Sequence, residues 1–133
     1  PRTQLIGGRL MHDSINVLGT ELQPCSLEPL TGWFRDGCCN TDQRDRGSHT
    51  VCCVLTTEFL EFARSQGNDL MTPVPEMGFL GLRAGDRWCV CAKTWQDAAE
   101  AGVACGIVLE ATHEESLSAC NLEMLEAHGA SSE

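Results

Sequence analysis

The sequence predicts an α+β domain of two layers: a small sheet with helices packed on one face and long ordered loops. Three observations predict it. Runs rich in β-branched and apolar residues recur three times, cap and stop signals mark helices after them, and two stretches punctuated by glycine and proline separate the regular parts. At 133 residues the chain makes a single domain, 16–133, preceded by an N-terminal tail or arm over 1–15 where Gly7-Gly8 interrupts any regular pattern. Met11 is a candidate natural start.

From Asn16 to about Asp45 the chain is irregular, with Gly19, Pro24, Pro29, Gly32 and Gly37 every few residues. A loop this long inside a domain is functional or disordered, and the pair Trp33-Phe34 predicts order, because large side chains bury themselves. Residues 48–55 read as the first strand, in which His49, Val51 and Cys53 share one face and Thr50 and Cys52 the other. A helix follows over 56–67, with Thr56 as N-cap, Glu58 in the first turn, Gly67 at the left-handed C-terminal position, and Phe59, Phe62 and Ala63 facing inward. Residues 68–86, with Pro73 and Pro75, form a second ordered loop; 87–93 are the second strand. Thr94 caps a short helix over 95–101 stopped by Gly102, and 106–112 are the third strand. Thr112 and Glu115 match a capping box for a helix to about Ala119, and Asn121 caps a last helix ending at Gly129.

The net charge is -10, with 19 acidic and 9 basic residues, and Lys93 is the single lysine. Such a surface repels phosphate backbones, which excludes nucleic acid and anionic membrane as partners; a small-molecule or protein partner stays open. No apolar run approaches the roughly 18 residues a bilayer span needs, and the first residues lack the apolar region of a secretory signal. Nine cysteines is an odd count, and several sit in apolar runs, which predicts free thiols in a reducing cytoplasm.

The cysteines carry the chemistry. Cys89 and Cys91 stand two apart on a strand, so both point to one face and can offer two thiolates to one metal, or equally line a core. Cys38 and Cys39 sit in a glycine-bearing turn beside Arg35, which can make a neighbouring thiol nucleophilic; adjacent cysteines form a strained disulfide, so the two act separately. His49 precedes Cys52, and His113 follows Thr112 at a helix start, where the dipole favours a neutral imidazole able to serve as ligand or base.

The strings Arg35-Asp36-Gly37-Cys38-Cys39-Asn40-Thr41, Ser48-His49-Thr50-Val51-Cys52, Gly67-Asn68-Asp69-Leu70, Gly85-Asp86-Arg87-Trp88-Cys89-Val90-Cys91-Ala92 and Leu109-Glu110-Ala111-Thr112-His113-Glu114 resemble the bacterial family called domain of unknown function 2237. The resemblance spans about Asn16 to Leu125 and implies a two-layer α+β fold but no activity. It implies that Cys25, Cys38, Cys39, Cys52, Cys89, Cys91, His49 and His113 belong to the family's pattern, whereas Cys53, Cys105 and Cys120 are incidental. Leu80 and Ala84 stand near positions where the family's pattern has prolines.

Three functional readings follow. The first is a thiol-lined site for metal binding or redox, with Cys89, Cys91, Cys38, Cys39, Cys25, Cys52, His49 and His113 as candidate ligands of zinc, copper(I) or an iron-sulfur cluster. The second is a non-catalytic binding module with core cysteines, whose surface is the loops around Trp33 and Pro73 to Pro75. The third is a cysteine-nucleophile enzyme in which Asp36 or Asp86 orients a histidine.

Overall fold

The computed structural model describes residues 4–6, 9–11 and 14–129, the first two segments by backbone alone. Those segments are β1 (Gln4–Ile6) and β2 (Arg9–Met11), paired antiparallel within the stretch read as an arm. The Gly7-Gly8 interruption lies outside the described residues.

The main sheet has three antiparallel strands with β3 (His49–Val54) in the centre, β4 (Arg87–Cys91) on one side and β5 (Gly106–Ile107) on the other. Residues Thr50 to Cys53 of β3 are all buried. A strand buried on both faces needs a cover on each, and here the covers differ. One is helical and the other is loop.

On the helical side, α1 (Thr57–Ser65) starts where Thr56 Oγ1 accepts the N–H of Phe59 at 3.1 Å, and Gly67, with φ of 92°, takes the left-handed turn after it. Its buried residues are Phe59, Leu60 and Ala63; Phe62 lies at the margin, so the inner face is rotated by one position from the expected one. α2 (Ala92–Glu100) begins two residues before the expected cap, Thr94, and no side chain caps it. The strand runs straight into the helix, and the N–H of Ala92 is taken instead by the Ser48 carbonyl at 3.0 Å. Trp95 is wholly buried and its indole N–H donates to the Cys105 carbonyl at 3.0 Å. α3 (Leu122–Ala127) is capped by Asn121 as expected. Phe59, Leu60, Trp95, Ala98 and Leu125 from these helices meet Val51, Cys53, Val90 and Ile107 in one core. Removing rings such as Phe59 and Trp95 from water stabilises the fold by roughly 2–3 kcal/mol each.

Strand β5 is far shorter than 106–112, because the chain turns into a 3-10 helix at Leu109–Ala111. The hydroxyl of Thr112 closes that turn by donating to the Val108 carbonyl at 3.0 Å. Thr112 is therefore not the cap of the following 3-10 helix, Glu114–Ser118; His113 is, its Nδ1 accepting the N–H of Glu115 at 3.0 Å.

The other face of the sheet is covered by 14–47. Buried Asn16 ties this segment to the turn after β5 by donating from Nδ2 to the Glu110 carbonyl, and the N–H of Val17 reaches the Thr112 carbonyl at 2.9 Å. At Gly32, φ is 104° and an added Cβ would lie 2.3 Å from the Cys38 carbonyl oxygen, so only glycine fits the crossing. Trp33 and Phe34 do not bury themselves as expected; both stay well exposed, because polar and backbone contacts of their neighbours already hold the loop.

Candidate functional site

Cys52 and Cys89 are directly opposite in the β3–β4 ladder, which puts their side chains on one face, the face under the loop. The loop brings Cys25 over Cys52 and Cys39 over Cys89, and each pair is a disulfide. The sulfurs of Cys25, Cys39 and Cys89 lie within 4.8 Å of one another, and that of Cys52 is bonded to Cys25. Four sulfurs from four separated segments thus share one buried place, with Val108 and Ala111 around them. Cysteine pairing corrects the expectation of free thiols throughout: five of the nine are free.

Hydroxyls secure the two strand cysteines. Thr31 Oγ1 accepts the N–H of Cys89 at 2.9 Å, and Thr112 Oγ1 accepts that of Cys52 at 3.1 Å. Both threonines are fully buried. The N–H of Cys25 donates to the Gly37 carbonyl at 2.7 Å, and that of Cys38 to Asp36 Oδ1 at 3.0 Å, which shapes the turn carrying Cys39. In a tetrahedral zinc tetrathiolate, Zn–S bonds of about 2.3 Å separate the sulfurs by about 3.8 Å. Once the two S–S bonds are open, this donor set fits a thiophilic metal.

The other candidates are elsewhere. Cys38 is buried, and its thiol is pushed up to about 11 by desolvation and then by the Asp36 carboxylate, so it is the reverse of the activated thiol expected there. Arg35 does not activate it, since Nη1 donates to the Gly32 carbonyl at 2.6 Å and the guanidinium lies 5.2 Å from the Trp88 ring centroid. The imidazole of His113 is engaged in its cap. Cys53, Cys105 and Cys120 lie in the core on the helical side; burial, then a hydrogen bond with Cys105, pushes the Cys53 thiol well up, and burial, then Cys91, pushes Cys120 up to about 11.

Cys91 does not share the site of Cys89. It ends the strand half-buried and lines a cleft of about 290 Å³ with Trp33, Arg35, His49 and Trp88. His49 is its partner across the ladder. The strict alternation expected for the first strand fails here, because Val51 is opposite Val90 while His49, two residues away, is opposite Cys91. Thr50 is the extra residue of a bulge, and Ser48 before it has φ of 52°. His49 Nδ1 lies 2.6 Å from Asp45 Oδ1, and the N–H of His49 donates to Asp45 Oδ2 at 2.9 Å. Thr41 Oγ1 donates to the same Oδ2 at 3.0 Å, and the Asp45 carboxylate is fully buried. The Trp33 ring stacks on His49, centroids 6.1 Å apart. The expected orienting carboxylates, Asp36 and Asp86, instead bond backbone N–H groups of their own turns. Asp45, Thr31 and Thr112 were legible only as loop or cap residues. The four-residue spacing of Asp45 and His49 about Gly47 is the one signal that points to their pairing.

Among the described residues no helix is long and apolar enough to cross a membrane. A family model described as an uncharacterized protein conserved in bacteria, domain of unknown function 2237, matches residues 15–129. No curated protein matches the chain.

Proposed function

The chain belongs to the bacterial family of domain of unknown function 2237, and on that footing we propose that its four clustered cysteines are a redox-gated thiol site. Oxidised, Cys25–Cys52 and Cys39–Cys89 are disulfides. A dithiol reductant delivers two electrons and two protons to each, and the four resulting thiols give up their protons on binding one thiophilic cation, zinc being the test case. With four protein ligands and no open position such a centre holds structure and senses redox state rather than activating water. In the reducing cytoplasm expected from the sequence, the metal form prevails.

The observation that carries this reading is the convergence of the Cys25, Cys39 and Cys89 sulfurs within 4.8 Å, with Cys52 bonded into the group. Thiol counting under denaturant and zinc analysis test it. Air-oxidised protein should show five reactive thiols, matching the free cysteines. Reduced protein should retain one zinc per chain, and Cys39→Ser or Cys52→Ser should lose it. Zinc retention equal to that of the variant with all four changed to serine overturns the metal half of the proposal.

The second reading, a non-catalytic binding module, is favoured by one observation. Exposed Leu27, Leu30, Met77 and Leu80 line a groove of about 450 Å³. It becomes the better reading if the clustered cysteines prove to be staples alone.

A further inference from the structure

We propose that Cys91, His49 and Asp45 form a nucleophilic thiol site that takes small acyl esters or thioesters. Of the five free cysteines only Cys91 is not buried. Its side chain is on the same face as that of His49, because the two are ladder partners, and residues so paired have Cβ atoms about 4.5–5.5 Å apart. Without the bulge, Thr50 would occupy that place. The inserted residue is what brings His49 opposite Cys91.

The imidazole is in turn oriented. Asp45 holds Nδ1 at 2.6 Å and is itself fixed by the His49 N–H and by Thr41. Nε2 is the ring nitrogen left for the thiol proton. A thiol beside a base, and a base oriented by a third group, is the arrangement that activates a nucleophile. Cys91 also sits at the N-cap of α2, which no side chain caps, so the first-turn N–H groups of Lys93 and Thr94 have no side-chain partner and can donate to a developing oxyanion.

The cleft sets the substrate class. About 290 Å³ is near the lower bound of roughly 300 Å³ for ligand pockets, so the substrate is small. Trp33, Leu70, Phe79 and Trp88 give it apolar walls, and Arg35, held over Trp88, places a positive charge on the rim. In the reaction the Cys91 sulfur bonds the carbonyl carbon and its proton passes to His49. The bond to the leaving alkoxide or thiolate breaks, and the leaving group takes that proton. Water then cleaves the acyl-cysteine thioester to the free acid and regenerates the thiol.

The probe is p-nitrophenyl acetate with the full, oxidised chain, in which the clustered sulfurs are paired and take no part. A burst of nitrophenolate, one per chain, should accompany acetylation that peptide mapping places on Cys91. Cys91→Ser should abolish it. His49→Ala should slow it by about 100-fold or more, and free imidazole added to that variant should restore much of the rate, as a purely structural loss would not. Asp45, a positioning residue, is tested by Asp45→Asn, which should slow the burst yet leave it open to the same rescue. The proposal is overturned if no acetyl group appears, if the label falls on another residue, or if folded His49→Ala is acetylated at the unchanged rate.

Discussion

Thr31 Oγ1 accepts the backbone N–H of Cys89 at 2.9 Å, joining two residues 58 apart in the chain. Among the described residues β4 is an edge strand, and a loop hydroxyl takes the Cys89 N–H beside the sulfurs. Thr31→Val keeps the shape and removes the acceptor, leaving a buried N–H unpaired. A loss of about 1–3 kcal/mol is expected in urea unfolding, with Thr31→Ser close to wild type. Equal midpoints for Val and Ser would show that the contact contributes nothing.

Asp45 is the next test. Its buried carboxylate accepts from His49 twice and from Thr41 once, so Asp45→Ala strands three polar groups. Stability should fall by on the order of 3 kcal/mol, read as a lower urea midpoint. A change under about 0.5 kcal/mol would mean that water replaces the carboxylate without cost.

The disulfides close loops of different span, with sequence separations of 27 and 50 residues. Chain entropy assigns about 3–4 kcal/mol to each. Paired replacement of Cys25 and Cys52 by alanine should lower oxidised-state stability by that order, and added reductant should then have a smaller effect on the variant than on wild type. An undiminished response to reductant would place the redox-sensitive bond elsewhere.

Alkali should weaken the fold through Cys38. Burial, assisted by Asp36, raises its thiol from 9.0 to about 11, so the folded chain holds the proton more tightly than the unfolded one. That contribution is complete below pH 9 and disappears as pH climbs through about 11, a total of roughly 3 kcal/mol. Short thermal scans across that range should fall less steeply for Cys38→Ala than for wild type. Parallel slopes would refute the assignment.

Gly32→Ala should be among the most damaging single changes in the loop. The added methyl meets the Cys38 carbonyl at 2.3 Å in a backbone conformation that disfavours side chains. Circular dichroism melts should show a large drop, together with partial loss of the Cys39–Cys89 bond on mass analysis, because the same crossing positions Cys39.

The α+β class, the helices of 56–67 and 121–129 and the approximate strands were legible because caps and β-branched runs are local signals. The sulfur cluster was legible only as a set of candidates, since Cys25 and Cys39 reach the sheet by way of a loop with no periodicity. The bulge at Thr50 left no mark in the sequence, so alternation assigned His49 to the wrong neighbours. Asp45 was hidden for a related reason: its role depends on a turn that returns it to His49, and a turn is a matter of backbone angles such as those at Ser48. Likewise the start of α2 is set by the Ser48 carbonyl, just before β3, which residues 92–100 by themselves do not disclose.

The two covers of the sheet also keep the disulfides apart from three of the five free thiols. Bonded sulfurs occupy the loop side, while Cys53, Cys105 and Cys120 occupy the helical side. A closed ladder of backbone amides stands between them as a partition. Thiolate attack on a disulfide needs contact, so the partition insulates the native pairings from three nearby thiols that could otherwise scramble them.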